Sequence, residues 1–262
     1  MKKRILSIVL LVAMAVSLLS GCGGNNYEVE LPTELVENAE IFVNPVEGIS
    51  DDFIKGMDIS SILSLEDSGV KFYNEAGEEQ DIFKTLADAG INYIRVRVWN
   101  DPYDADGNGY GGGNCDAKVA AEIGKRAAKY GMKLLVDFHY SDFWADPAKQ
   151  MAPKAWADMD FFGMQEAIVE YTKDSLKTIQ DAGAEIGMVQ IGNEINHGMA
   201  GLKNYTQVLG LLKSAAEAVK SVSEDILVCV HYTEIDNAED IMKKAANLES
   251  AEVDYDVFGV SY

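Results

Sequence analysis

The stretch MVQIGNEINHG at 188–198 runs apolar to Ile191 and then sets Asn193 and Glu194 side by side. A carboxyl at the end of an apolar strand faces low-dielectric walls. Desolvation there raises its hold on a proton toward the range where Glu can donate one near neutrality. The amide of Asn193 can bind a hydroxyl without competing for that proton. The pair therefore suits general acid–base chemistry on a hydroxylated ligand, although Asn-Glu alone is a common dipeptide. Other apolar runs end in similar fashion, at Asp58, at Arg97 and Trp99, at Asp137 and His139, and at His231. Side chains alternate along a strand, so Arg95, Arg97 and Trp99 share one face, as do Asp137 and His139. Charge inside a sheet core is costly unless paired, and Arg97 is expected to meet Asp58 or Asp137. Such a cluster is equally suited to holding strands together and to building a site. Tyr140, Phe143 and Trp144 follow in HYSDFWADP. Aromatic faces pack against the C–H faces of sugars, which makes Trp144 and Trp99 candidates for a carbohydrate platform. Core packing or loop anchoring is the plainer reading of both.

These residues need elements to place them. Strand-like runs fall at 53–60, 92–99, 133–140, 186–194, 226–232 and 255–262, and helical periodicity falls at 81–90, 117–132, 161–183, 204–222 and 238–248. Gly90, Gly131 and Gly183 stand where three of the helices should stop. Strict alternation implies parallel strands joined by crossover helices, which a doubly wound sheet and a (β/α)8 barrel both satisfy. The first strand leads into SSILSLEDSG with no phosphate-binding glycine turn, and DGNGYGGGN at 106–114 has the spacing of neither phosphate loop. Polar clusters at five strand ends favour the barrel, whose enzymes assemble sites from several strand ends. A closed barrel needs eight strands, and six are counted. The expected fold is thus a (β/α)8 TIM barrel present as about six βα units, with strands 7 and 8 missing.

The chain has 262 residues, 48% apolar and 25% charged, as befits one globular domain with a sizeable core. A formal charge of −21 disfavours nucleic acid or an anionic bilayer surface as a partner. Lys2, Lys3 and Arg4 precede an apolar run that ends in Leu19, Ser20, Gly21 and Cys22. That is the pattern of a bacterial lipoprotein signal, in which Cys22 becomes the acylated first residue. A plain secretory signal or a single membrane anchor is the alternative. The expected organisation is a signal peptide over 1–21, lipidated Cys22 and a tether over 22–50, and a barrel over 51–262. The product would be extracytoplasmic, held at the bacterial surface by lipid alone or secreted. An exported chain permits a disulfide, but Cys115 in a loop and Cys229 inside a strand read better as small buried hydrophobes. No CxxC or HExxH spacing suggests a metal site.

The segments NYIRVRVWNDPYDADGNGYGGGN, GMKLLVDFHYSDFWADPAKQMAPKAW and GMVQIGNEINHG resemble the endo-β-1,4-galactanases of glycoside hydrolase family 53. The resemblance extends from about Gly56 to Tyr262. It implies a (β/α)8 barrel that hydrolyses β-1,4-galactan, the side chains of type I arabinogalactan in pectin, with retention of configuration. Glu194 takes the acid/base position. Arg97, His139, Asn193, His231 and Tyr262 take positions in the sugar cleft, with Asp58 and Asp137 nearby. The nucleophile is a Glu on strand seven, and this sequence stops before it, so 1–262 alone is expected to be inactive. Neither Glu234 nor Asp137 matches the nucleophile position. No cofactor is implied, and a calcium site carried by some bacterial members would lie after residue 262. A monomer acting on galactan is expected. The other readings are a non-catalytic glycan-binding surface lipoprotein and a related barrel β-glycanase acting on mannan or cellulose.

Overall fold

The structure, a computed structural model, describes residues 46–50 and 52–262. The signal peptide expected over 1–21, the lipidation site Cys22 and most of the 22–50 tether lie outside the described residues. Among the described residues no helix is long and apolar enough to cross a membrane. Residues 51–262 form one compact unit.

Six parallel strands lie side by side in chain order: β1 (Gly56–Asp58), β2 (Tyr93–Val98), β3 (Lys133–Phe138), β4 (Ile186–Ile191), β5 (Leu227–Tyr232) and β6 (Val257–Val260). Six α-helices connect them: α1 (Ile62–Asp67), α2 (Ile82–Asp88), α3 (Ala117–Ala128), α4 (Phe161–Asp181), α5 (Tyr205–Val222) and α6 (Ala238–Ser250). This is the curled, parallel half of a (β/α)8 barrel, as the alternation of patterns predicts. One strand face builds the core: Ile94, Val96 and Val98 of β2 and Leu134, Val136 and Phe138 of β3 join Ile123, Leu176, Leu211 and Leu212 of the helices in a single cluster. The other face carries Arg95, Arg97, Asp137 and Gln190. The registers set Arg97 beside Asp137, Asp137 beside Gln190, and His231 beside Gly259.

Helix starts are chemically marked. Asp81, Asp116, Asp160, Asn204 and Asn237 each accept a hydrogen bond from a first-turn backbone N–H of the helix that follows. Gly90, Gly131 and Gly183 stop their helices with φ of 83°, 72° and 91°, left-handed values that a side chain would resist. Helix α1 was not visible in the pattern, because six residues give too few turns for a period and no side chain caps it. Strand β1 is shorter than expected for local reasons. Asn92 takes the backbone of Lys55 and Phe53 at 2.8 and 2.9 Å, and Asp58 Oδ1 accepts from the N–H of Ser60 at 3.0 Å. Cys115 and Cys229 are buried and unbridged.

Gly124 shows how tightly helix and sheet meet. A Cβ there would lie 2.5 Å from Ala184 Cβ and 2.6 Å from Leu134 Cδ1. Alanine would gain about 1 kcal/mol of helix propensity, whereas overpacking a core costs about 1–3 kcal/mol. Both neighbours are short and buried, so the clash should win. Gly124→Ala is expected to destabilise by about 1 kcal/mol, seen as a lower urea midpoint. An unchanged or higher midpoint would show that the helix can shift away from the sheet.

Candidate active site

Strand β4 ends in a sharp turn. Gly192 has φ of 99° and Glu194 has φ of 49°, both left-handed. A Cβ at Gly192 would lie 2.7 Å from Ile195 Cγ2, so glycine is required there on two grounds. For Glu194 the left-handed conformation costs about 1–2 kcal/mol, and the surroundings hold it in place. Gln150 Nε2 donates to the carbonyls of Asn193 and Glu194 at 2.9 and 3.3 Å, and the Glu194 N–H donates to His231 Nδ1 at 3.2 Å. The result is a half-buried carboxyl lifted off the strand end. Its Oε1 accepts from the Ser261 hydroxyl at 2.7 Å, and that hydroxyl lies 3.2 Å from His231 Nε2.

His231 closes this corner from β5. Gly259 makes room for it, since a Cβ there would meet Cys229 Sγ at 2.9 Å and the imidazole Cδ2 at 3.4 Å. Burial, opposed by the nearby charge of Asp137, holds the His231 pKa below its ordinary value, so the ring is neutral near pH 7.

Beneath Asn193 and Glu194 lies a polar floor centred on Arg95. Its guanidinium reaches Asp58 Oδ2 and Asp137 Oδ2 at 2.7 Å each, Asn193 Oδ1 at 3.1 Å and Gln190 Oε1 at 3.3 Å. Gln190 Nε2 donates to Asp137 Oδ1 at 2.6 Å and to Asn193 Oδ1 at 3.2 Å. Asn193 Nδ2 donates to the Ala145 carbonyl at 2.8 Å, which leaves its second N–H for a ligand. Burial works against the charge on Asp137. Arg95 and His139 outweigh it, and the carboxyl is held below the usual aspartate range. His139 Nδ1 accepts from the Ala145 N–H at 2.9 Å and from Trp99 Nε1 at 3.3 Å, so its proton sits on Nε2, which faces Asp137 Oδ2 at 3.1 Å.

Several expectations need correcting. Arg97 meets Asp58 as expected, in a long ion pair of 3.9 Å, but the close pairs with Asp58 and Asp137 belong to Arg95. Arg97 instead donates to Ser61 Oγ at 2.8 Å and to the Gly112 carbonyl, and lies buried under the indoles of Trp144 and Trp99, 4.2 and 5.1 Å from their centroids. Trp99 is no open platform: it is 0% exposed, packed against His139, Phe143 and Trp144. Asp137 and His139 are also buried, at 0% and 1% exposed, with their polar atoms engaged inside the protein. They position neighbours and do not present a surface to sugar. Trp144 is 44% exposed, with Arg97 against its ring, and is the accessible aromatic of the three tryptophans. Asp58 is open to solvent, and Tyr262 is fully exposed.

Arg95, Gln190, Gln150 and Ser261 were not singled out from sequence. Arg95 shares a strand face with Arg97, and Gln190 is a polar residue within an otherwise apolar strand, so both carried a readable signal. Gln150 and Ser261 lie in loops 44 and 67 residues from Glu194, and nothing local marks them.

The strands that place Glu194 and Asn193 belong to a stretch of sequence that is similar to known proteins. The sequence model described as glycosyl hydrolase family 53 matches residues 54–262. The chain belongs to glycosyl hydrolase family 53. It is 49% identical to an endo-β-1,4-galactanase of Bacillus subtilis over 93% of this chain and 58% of that protein. It is 35% identical to an arabinogalactan endo-β-1,4-galactanase of Cellvibrio japonicus over 82% of this chain and 58% of that one. Among solved structures, a family 53 catalytic domain of Ignisphaera aggregans superposes with a TM-score of 0.82 at 41% identity, covering 85% of this chain and 63% of that one. The chain thus spans a little under six-tenths of the length of these curated relatives. The matched range includes the β4 turn, the Arg95 floor and the Trp144 loop.

Proposed function

We propose that the protein hydrolyses internal β-1,4-galactosidic bonds of pectic galactan, with Glu194 as acid/base in a retaining double displacement. The observation that carries this reading is the placement of Glu194. In a family 53 chain, the left-handed turn after β4 lifts its carboxyl beside Asn193 at the open end of the strands. Retention needs two carboxyls about 5–5.5 Å apart. In the first step a nucleophilic carboxylate attacks the anomeric carbon while Glu194 passes its proton to the departing glycosidic oxygen. In the second, Glu194 takes a proton from water, whose oxygen displaces the enzyme carboxylate. Asp137 is unsuited to the nucleophile's role because it is buried and already bonded to Arg95, His139 and Gln190. Glu234 is turned toward Asn196 and His197, at 3.5 Å from each. The resemblance to family 53 implies a Glu on a seventh strand as the nucleophile, and neither Asp137 nor Glu234 stands in for it. Asn193 offers its free amide N–H to a sugar hydroxyl, and Trp144 offers its open ring to the C–H face. Export, anchoring through a lipid on Cys22 and a monomeric state belong to the same reading.

The test is direct. The protein is expressed from its gene with whatever coding sequence follows Tyr262, and incubated with linear pectic galactan, mannan and cellulose. Release of galacto-oligosaccharides from galactan alone is expected. Absence of products from galactan would sink the reading, and cleavage of mannan or cellulose would favour a related β-glycanase. Within this reading Trp144→Ala is expected to raise KM on galactan about tenfold, the worth of one aromatic contact of roughly 1.4 kcal/mol. It should leave kcat within about twofold, as loss of uniform binding does. A fall in kcat at unchanged KM would show that Trp144 acts on the transition state instead.

A further inference from the structure

Glu194, His231 and Ser261 form a closed ring of hydrogen bonds in which each donor fixes the next. The Glu194 N–H points at His231 Nδ1 at 3.2 Å, so that nitrogen must be an acceptor. The neutral imidazole therefore carries its proton on Nε2, which lies 3.2 Å from Ser261 Oγ. Ser261 cannot donate toward a nitrogen that already bears hydrogen, so its own hydroxyl hydrogen turns to Glu194 Oε1 at 2.7 Å. We infer that Ser261 is a positioning residue that keeps Oε1 of Glu194 as a standing acceptor and so assigns the transferable proton to Oε2. This rests on the acid/base role proposed for Glu194.

The chemistry follows from the ring. Without it, either carboxyl oxygen of Glu194 could carry the proton, and half the protonated population would aim it away from the substrate. With it, the O–H bond that breaks is at Oε2, and its hydrogen goes to the departing glycosidic oxygen while the electron pair remains on the carboxylate. The Ser261 hydroxyl donates to Oε1 before and after, so the new carboxylate is met by a charge-assisted hydrogen bond already in place. In the second step Oε2 recovers a proton from the attacking water. No proton passes through Ser261 or His231. The lowered pKa of His231, chiefly from burial, agrees with a ring that stays neutral through the cycle.

Two measurements on the protein expressed with any coding sequence after Tyr262 test the inference. The first compares kcat/KM on galactan, whose sugar leaving group needs a proton, with kcat/KM on 2,4-dinitrophenyl β-galactobioside, whose leaving group does not. Ser261→Ala is expected to lose about 10- to 100-fold on galactan and no more than about threefold on the aryl substrate, with Ser261→Thr restoring most of the loss on galactan. Equal losses on both substrates, no loss on galactan, or failure of Thr to rescue would overturn it. The second reads the imidazole tautomers by 15N NMR, with the His231 signals assigned by their loss in His231→Gln. His231 is expected to be protonated on Nε2 alone, and an Nδ1-protonated ring overturns the inference whatever the activity. If the unmodified protein releases nothing from galactan, the proposed function fails, and the tautomer still decides whether the ring exists.

Discussion

Glu194→Gln is expected to lower kcat/KM on β-1,4-galactan by at least about a hundredfold, the usual worth of a general acid. The amide is nearly isosteric and keeps an oxygen that can accept from Ser261, so the turn after β4 and the ring with His231 should persist. What it loses is the transferable proton. A substrate that departs without protonation exposes that loss, and kcat/KM for 2,4-dinitrophenyl β-galactobioside should stay within a few-fold of the unmodified protein, since it reports only the glycosylation step. Melting temperature and circular dichroism should be unchanged. Near-normal turnover of galactan would remove Glu194 from the acid/base role, and equal losses on both substrates would point to misplacement of substrate rather than loss of an acid.

The largest effect on stability is expected at Asp137. Its carboxylate is fully buried and accepts from Arg95 at 2.7 Å and Gln190 at 2.6 Å, with His139 Nε2 at 3.1 Å. Asp137→Ala removes one acceptor from three donors at once, two of them on the buried residues Gln190 and His139. Breaking a buried pair from one side costs about 3–5 kcal/mol. Arg95 keeps Asp58 and is partly exposed, so the lower end of that range applies. The pH dependence has a definite sign. The folded-state pKa of Asp137 is depressed despite burial, so its contribution is fully present above the unfolded-state value of about 3.9 and is lost as pH falls through the folded value. Urea unfolding from pH 7 downward should therefore show the difference between the unmodified protein and Asp137→Ala shrinking below about pH 4. Other depressed carboxylates, such as Asp256, are present in both proteins and cancel in that difference. A loss under about 1 kcal/mol at pH 7, or a difference constant with pH, would show that the network carries less than its geometry suggests.

Much of this was legible in the residues. Strands β2 to β6 announce themselves because parallel strands buried on both faces read as apolar runs, and the helices because Asp or Asn caps precede them and Gly follows. Polar or aromatic residues at the ends of such runs point to the rim; the structure brings Glu194, Asn193 and His231 together and leaves Trp144 exposed, while Trp99, Asp137 and His139, which share that signal, are buried. Strand alternation groups Arg95 with Arg97 but cannot rank them. The register sets Arg97 directly beside Asp137, yet it is Arg95, two residues back, whose long side chain runs up to that carboxylate while Arg97 turns under Trp144. Trp99 looked equivalent to Trp144 for a similar reason. Its burial is decided by Phe143 and Trp144, which a loop more than 40 residues later folds over it. Ser261 and Gln150 were invisible because their value lies wholly in contacts made across the sheet. The left-handed turn at Glu194 was equally hidden, since it is a strain that the surroundings impose on a residue with no preference for it.

The acid/base role of Glu194 is tested most directly by removing its side chain and supplying a substitute nucleophile. The Glu194→Ala protein, expressed with any coding sequence after Tyr262, is given 2,4-dinitrophenyl β-galactobioside with and without sodium azide. With its base gone, the glycosyl-enzyme should accumulate, and azide, which needs no deprotonation, should discharge it. Acceleration by azide with β-galactobiosyl azide as the product is the expected result. No acceleration, or the α-configured azide, would contradict Glu194 as the acid/base of a retaining galactanase.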